Sequence, residues 1–550
     1  MDAIDRRIDA VIGDTSQRLD GGTIPPALTG NVDTDYDVAG QNVIDPSTTN
    51  PSADNLDWQT ADEARDVTSR LAEYADAALG DPDTVRVVTL NDAFRLVQIS
   101  GREYLNVAED YALSAIRLLI ERHLWGPRLF NDTTGAITGF GEDGRFDTTL
   151  SLINNFRATQ RLPYGGEVEA RWIWRQTEAL REQTTGRYRQ SSEIIFGANL
   201  PLLRGAGTVA REDLIQAERN IVYASRTFED RRRELLVRIA EDYFDLLQTA
   251  TRIENQTAQL ESLRTLERST QARVDAGRLS EFQVGIVANQ VLSGEQTLAN
   301  LRELYVLQLD RFKLRLGLSV SDPIAIAPLE FAVPEPEITT EAAVAAALDF
   351  RLDLQNERDR LVDARRAINN ARNSLLPDLD IAGEVGVPTD DDDREGGVLF
   401  DFDDTTYRAS VSLGLPLDRE IERLQLRDRI IRFERARRDF EQFRDQVTLD
   451  SRAAVRSVDL ARFSLNLAEQ QVEINRRRLQ EQQLKEDEVS QQEIVDSENA
   501  LLDAQNSRDA ALTGLRNAVL NFLETTGQLR VAPDGTFQPL PGMTDAAGQP

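Results

Sequence analysis

Apolar residues recur every three or four positions through two long, proline-free stretches, 208–276 and 420–484. Leu236, Ile239, Tyr243, Leu246, Ala250 and Ile253 step this way in the first of them. Val284, Val287, Val291, Gly294, Leu298, Leu301 and Tyr305 do so on the segment that follows. The 3-4 spacing is a coiled-coil seam and predicts long paired helices. At ~1.5 Å per residue, a helix of this length spans roughly 100 Å. Turns near Asp275-Ala276-Gly277-Arg278 and near Lys485-Glu486-Asp487-Glu488 would fold each long helix back on a partner. The seam weakens at Thr257, where a heptad wants an apolar residue; a stutter there would change the supercoil locally.

Four other segments alternate with a period of two, the strand signature. Val168, Ala170, Trp172 and Trp174 share one face of 167–175, and Ile194, Phe196, Ala198 and Leu200 share one face of 188–200. Leu379, Ile381, Gly383, Val385 and Val387 form a third such row; Tyr407, Ala409, Val411, Leu413 and Leu415 form a fourth. The opposite faces carry Glu169, Arg171, Arg175, Glu193, Arg408 and Ser410. Residues 145–160 fit either an extra strand or a loop.

The second and fourth strands both run into a long helix through one phrase. It is Leu200-Pro201-Leu202-Leu203-Arg204 in the first half and Leu415-Pro416-Leu417-Asp418-Arg419 in the second. Leu316-Gly317-Leu318 and Thr526-Gly527-Gln528 end the two return helices. The chain is therefore read as an internal duplication. Residues 88–318 form the first repeat, opened by an N-cap at Thr89, and 339–527 form the second. Residues 1–87 read as a loosely ordered arm with a short helix near 61–79, 319–338 as a linker, and 528–550 as a polar tail.

Composition narrows the function. The 550 residues contain no cysteine, one histidine (His123) and a net charge of −31. Disulfides and cysteine-ligated metals are excluded, and so is imidazole-based catalysis beyond His123, which reads as structural beside Trp125. The negative charge opposes nucleic-acid binding. No nucleophile–base pair or phosphate loop stands out, so the chain reads as a non-enzyme without a cofactor or metal. Asp390 to Asp393, with Asp401, Asp403 and Asp404, lack the spacing of a calcium loop and read as a solvated loop. No apolar run reaches the ~18–20 residues of a membrane-spanning helix. The start, Met1-Asp2-Ala3-Ile4, is not a signal peptide; an upstream export signal is the expectation if the protein leaves the cytoplasm. Four strands cannot close a barrel alone, and an open edge cannot persist in lipid. The amphipathic strands fit either a small soluble β-domain or an oligomeric membrane barrel.

Several phrases resemble the outer-membrane efflux and secretion channel family of the TolC type, across roughly residues 88–528. They are Leu162-Pro163-Tyr164-Gly165-Gly166 before a strand, Leu200 to Gly207 at the strand-to-helix joint, Ala371-Arg372-Asn373-Ser374-Leu375-Leu376-Pro377, and the turn Gly277-Arg278-Leu279-Ser280. The resemblance implies a mainly α fold with a small membrane β part. Two repeats, each a strand pair plus a long helical hairpin, would assemble as a homotrimer. Three chains would form a periplasmic α-barrel and a 12-stranded β-barrel, four strands per chain, in outer-membrane lipid. The implied function is a passive exit duct of a tripartite efflux pump or type I secretion system. Its implied partners are a periplasmic adaptor (membrane fusion protein) and an inner-membrane transporter.

The resemblance also implies roles for residues. Gly277, Arg278, Leu279 and Ser280, with Asp487 and Ser490 at the second tip, would contact the adaptor, although Asp487 stands where a matching glycine would be. The tip sequences also fit ordinary helix caps. Asp496 would form a ring of three carboxylates at the pore constriction, near the neutral Asn499 and Gln283; the plainer reading is a solvated acid on an acidic helix. Trp172, Trp174 and Tyr407 would suit a membrane girdle. The competing function is a long coiled-coil structural or adhesin-like protein without channel activity.

Overall fold

The computed structural model describes residues 2–18, 85–142, 145–179, 188–327, 339–389, 400–485, 489–532 and 537–538. A short helix, α1 (Asp2–Gln17), comes first, followed by β1 (Arg86–Val88), α2 (Leu90–Ser100) and α3 (Arg102–Leu124). Four strands succeed them: β2 (Arg128–Glu142), β3 (Arg145–Arg161), β4 (Glu167–Ala179) and β5 (Tyr188–Pro201). The helices α4 (Glu212–Asp275) and α5 (Glu281–Leu316) form the first hairpin, and β6 (Ile324–Ile326) follows. The second half comprises α6 (Thr340–Phe350), α7 (Leu352–Asn373), β7 (Asp378–Pro388), β8 (Thr406–Gly414), α8 (Glu420–Leu484) and α9 (Gln491–Thr525).

Both halves close on themselves by the same device. The lead helix of each half is interrupted, at Gly101 between α2 and α3 and at Arg351 between α6 and α7. Gly317, in the left-handed conformation (φ 81°), ends α5 against the first break: a Cβ there would lie 2.0 Å from the Ser100 carbonyl oxygen. Gly527 (φ 67°) ends α9 against the second break, where a Cβ would lie 2.9 Å from the Phe350 carbonyl carbon. The Ser100 hydroxyl donates to the Leu316 carbonyl at 2.7 Å and fastens the first closure. The two helix-ending glycines seen in the sequence are thus tertiary contacts as well as caps.

The main core surrounds the middle of α4. Phe228 meets Tyr104 edge-on and stacks on Tyr111, each at 5.7 Å, and Tyr243 meets Phe312 at 6.2 Å. The Tyr243 hydroxyl donates to the Ala327 carbonyl at 2.6 Å, tying α4 to the parallel β1–β6 pair. Arg232 is fully buried, donates to Gln98 at 3.1 Å and to the Val531 and Ala532 carbonyls, and faces Glu229. The polar tail therefore begins with a packed stretch, in which Leu529 and Val531 are buried. The N-terminal arm holds α1, whose Ile8 and Ile12 enter the same core. Their four-residue spacing is the signal that the composition of the arm obscures. The short helix expected near 61–79 lies outside the described residues.

The strands make one antiparallel sheet of six, in the order β2-β3-β4-β5-β7-β8. The four strands seen in the alternation are β4, β5, β7 and β8, so the expectation of four strands per chain is corrected to six. The reason is chemical. On β2 and β3 the alternation is diluted, with Asn131, Thr133 and Asn154 among the apolar positions and Phe130 on the charged face. Pairing with β4, along the whole length of that strand, decides what the pattern leaves open.

Gly317→Ala should lose roughly 2–4 kcal/mol of stability, from left-handed strain plus a backbone clash. Gly277→Ala, left-handed but with nothing near its Cβ position, should lose only ~1 kcal/mol. Denaturant unfolding of the two variants in detergent measures the difference; equal losses would contradict the closing contact.

Candidate functional site: sheet faces, hairpin tips and helix seam

Register across the sheet sorts its side chains into two faces. One row runs Leu129, Ala158, Ala170, Phe196, Val385 and Tyr407 across all six strands. The row above it holds Phe156, Trp172, Ile194 and Val387, with Phe156 stacked on Trp172 at 5.6 Å. Trp174 lies one row further, level with Thr133 and Asn154, whose side chains share a 2.6 Å hydrogen bond. The opposite face is charged and internally paired. Arg171 lies 3.3 Å from Glu169 and 3.7 Å from Glu384, and Arg175 lies 3.8 Å from Glu193. Tyr407, Val411 and Leu413 are more than half exposed, so this apolar face is uncovered in the single chain.

The strand-to-helix joints are held by the arginine that ends each repeated phrase. Arg204 lies 3.6 Å from Asp378, at the start of β7. Arg419 donates to the Leu375 carbonyl at 2.6 Å and to the Pro416 carbonyl at 3.1 Å. The turn between β3 and β4 docks on the first joint, where Gly207 donates its N–H to the Tyr164 carbonyl at 2.7 Å. Gly165 and Gly166 have φ of 107° and 83°, and a Cβ on Gly166 would lie 1.9 Å from the Asn199 carbonyl oxygen. The two glycines of the Leu162 to Gly166 phrase are thus required by close backbone approach.

At the first hairpin tip, Gly277 (φ 71°) receives the end of α4. Its N–H donates to Val274 at 2.9 Å and that of Arg278 donates to Arg273 at 2.9 Å, a Schellman cap. Gly277, Arg278 and Ser280 are exposed and Leu279 is half-buried. Ser280 occupies the N-cap position of α5 without a side-chain capping bond. Ser490 does cap α9, in a reciprocal box with Glu493. Asp487 lies outside the described residues, as do Asp390 to Asp393.

Just past the second tip, Asp496 is exposed and accepts from Gln492 at 2.8 Å. Asn499 lies one turn away, half-buried, and its Oδ1 accepts from Gln259 at 2.7 Å and from Gln290 at 3.0 Å. It therefore joins α9 to both helices of the first hairpin. Gln283 is half-buried and is not brought into this group.

More polar contacts extend the seam between α4 and α9, and sequence reasoning missed them. Asn255 donates to Asn506 at 3.2 Å and to Asp509 at 3.0 Å. Ser262 donates to Glu498 at 2.7 Å, and Thr270 pairs with Gln491 at 3.1 Å. Burial pushes the Glu498 carboxyl above its ordinary value, with the Ser262 bond opposing. The signal was present in part: Thr257 interrupts the apolar seam beside them, and its hydroxyl donates back to Ile253 at 2.7 Å.

A second acidic group sits where α4, α6–α7 and α9 meet. Burial, then repulsion from Glu234, Asp230 and Glu241, pushes Glu524 up to about 7. Burial, then Asp353, pushes Asp230 up to about 6, against Arg351 and Arg233. Among the described residues no cluster of His, Cys, Asp or Glu could hold a metal, and no helix is long and apolar enough to cross a membrane.

Comparison with known proteins locates this architecture. No known protein family matches the chain, and no curated protein does. Solved structures match over most of its length. The CmeC outer membrane channel of Campylobacter jejuni shares 13% identity, covers 80% of this chain and 85% of its own, and superposes with a TM-score of 0.60. The outer membrane protein VceC of Vibrio cholerae shares 14% identity over 80% of this chain and 96% of its own, with a TM-score of 0.61. The open state of the Neisseria gonorrhoeae MtrE outer membrane channel shares 13% identity over 81% and 90%, with a TM-score of 0.57. The chain has the fold of TolC-type outer membrane channels.

Asn499→Ala removes the acceptor of two amides and should cost about 1–3 kcal/mol at the seam. Hydrogen exchange should then accelerate in 491–506, and unchanged protection would contradict the stitching role. For Glu524, the sign follows from its raised value. The folded chain holds the proton more tightly than the unfolded one, so this burial costs nothing below the ordinary carboxylate range and weakens the fold as pH rises through about 7. Thermal stability should fall between pH 5 and pH 8, and Glu524→Gln should flatten that fall and raise stability at pH 8. An unchanged pH profile in the variant would exclude Glu524 as the cause.

Proposed function

We propose that this chain is one subunit of a passive outer-membrane exit duct. Three copies surround the conduit, with their sheets in outer-membrane lipid and their helical hairpins in the periplasm. One observation carries the reading: a sheet with an uncovered apolar face and a charged opposite face continues directly into two long helical hairpins. That polarity is the one expected of a membrane barrel, lipid outside and water within. At 11 residues, β7 has the ~9–11 that a tilted strand needs to cross the hydrocarbon. Trp172, Trp174 and Tyr407 act as the girdle on this reading. The likeness to CmeC, VceC and MtrE supports the same class.

On this reading the energy for transport comes from a partner. An inner-membrane transporter supplies it, and a periplasmic adaptor meets the hairpin tips at Gly277, Arg278, Leu279, Ser280, Asp487 and Ser490. The exposed Asp496 becomes a ring of three carboxylates at the narrow end. The filament-like alternative is disfavoured by connectivity, because each half folds its own hairpin and leaves an amphipathic sheet between the helices.

Membrane fractionation, gel filtration in detergent and planar-bilayer recording test the proposal together. A membrane-embedded trimer that conducts ions is the expected result, and a soluble monomer would overturn it. Two substitutions sharpen the test. Phe196→Arg, on the apolar face, should cost about 2–4 kcal/mol and deplete the membrane trimer, whereas Ser410→Arg on the charged face should be tolerated. Asp496→Asn should lower the cation-to-anion permeability ratio of the open duct; an unchanged ratio would remove Asp496 from the constriction.

A further inference from the structure

Each chain presents six strands in this sheet, and among the described residues its β2 and β8 edges have no further strand partner. An edge in lipid leaves rows of N–H and C=O groups unsatisfied, at several kcal/mol each. Something must cover them, and the geometry says what. All neighbouring strands in the sheet are antiparallel. With an even number of strands, β8 of one copy and β2 of the next also run antiparallel when the copies follow head to tail. The apolar row from Leu129 on β2 to Tyr407 on β8 spans the sheet from edge to edge. The adjacent polar row does the same, from Arg128 to Arg408. Both faces therefore continue across a β8–β2 junction without inversion.

We propose that three copies close into a barrel of eighteen strands, joined by β8–β2 pairing, and that the β2–β3 hairpin is part of the membrane wall. This rests on the channel reading above. The hairpin cannot leave the sheet cheaply, because β4 is paired to β3 along its whole length. The Tyr164–Gly166 turn that links the two strands is also locked to the first joint. Closure through β4 instead would break that ladder and leave the hairpin with open edges of its own.

The helices fit the wider ring. Four strand ends per chain join helices, at Gly126–Pro127, Pro201, Pro377 and Pro416, so three copies bring twelve helices to the junction. Twelve helices packed ~8–10 Å apart need a circumference of roughly 96–120 Å. Eighteen strands ~4.8 Å apart and tilted by ~40° make a ring of roughly 113 Å, against roughly 75 Å for twelve. The eighteen-stranded ring meets the helical wall without narrowing the duct. The outer-membrane end then imposes no size limit, and selection by size falls to the helical tips.

The chain has no cysteine, so disulfide mapping on it is clean. Cysteines placed at Leu129, Thr133 or Ile137 on β2 are combined one at a time with cysteines at Tyr407 or Val411 on β8. Oxidation in membranes should yield covalent trimers for the pair in register. Cross-linking of β8 to Val168→Cys or Ala170→Cys on β4, with none to β2, would show closure through β4 and overturn the proposal while leaving the duct intact. If a conducting trimer gives neither cross-link, electron cryo-microscopy decides: eighteen strands support the proposal and twelve overturn it. A chain that forms no membrane trimer overturns the channel reading, and the proposal with it.

Discussion

A sheet with an uncovered apolar face and two open edges cannot stand alone, and the rest of the molecule is arranged around that constraint. The face needs an apolar surrounding, and the edges need backbone partners. Ion pairs join Arg171 to Glu169 and Glu384, and Arg175 to Glu193, on the charged face within the chain. The apolar face has no such internal answer. The proline joints pass the chain from sheet to helix where strand pairing ends. Proline suits that position because its missing N–H falls outside the ladder.

The helical part solves a different problem with a duplicated device. A hairpin of this length can slide along an apolar seam, since 3-4 packing repeats every heptad. Two kinds of contact prevent it. Near the middle of the long helices, Gly317 and Gly527 seat on the helix breaks at Gly101 and Arg351, where no side chain would fit. Toward the tips, Asn255, Gln259, Ser262 and Thr270 pair with partners on α9. Buried polar pairs fix register because any slip leaves them unsatisfied.

The two halves are alike in architecture and different at their ends. Ser490 spends its hydroxyl on a capping box, whereas Ser280 does not. Arg204 faces an aspartate across the joint, whereas Arg419 caps carbonyls. The differences sit at the hairpin tips and at the strand-to-helix joints.

The repeated Leu-Pro-Leu joints, the helical seams, four strands and the polarity of their faces were legible in the sequence, because each is a local period that one side-chain pattern suffices to reveal. Gly317 and Gly527 were legible as helix ends but not as packing contacts, since the partner is a backbone some two hundred residues away in each case. The six-stranded sheet was not legible: Asn131, Thr133 and Asn154 spoil the alternation of β2 and β3, and only ladder pairing with β4 determines their state. The role of Asn499 was also hidden, because a neutral residue beside a predicted gate looks like pore lining until Gln259 and Gln290 are seen to hold it. Sequence alone determined the periodicities and the mainly helical class of fold. Tertiary structure decided the number of strands, the closure of each half and the polar seam, since each depends on contacts between residues far apart in the chain whose chemistry carries no local period.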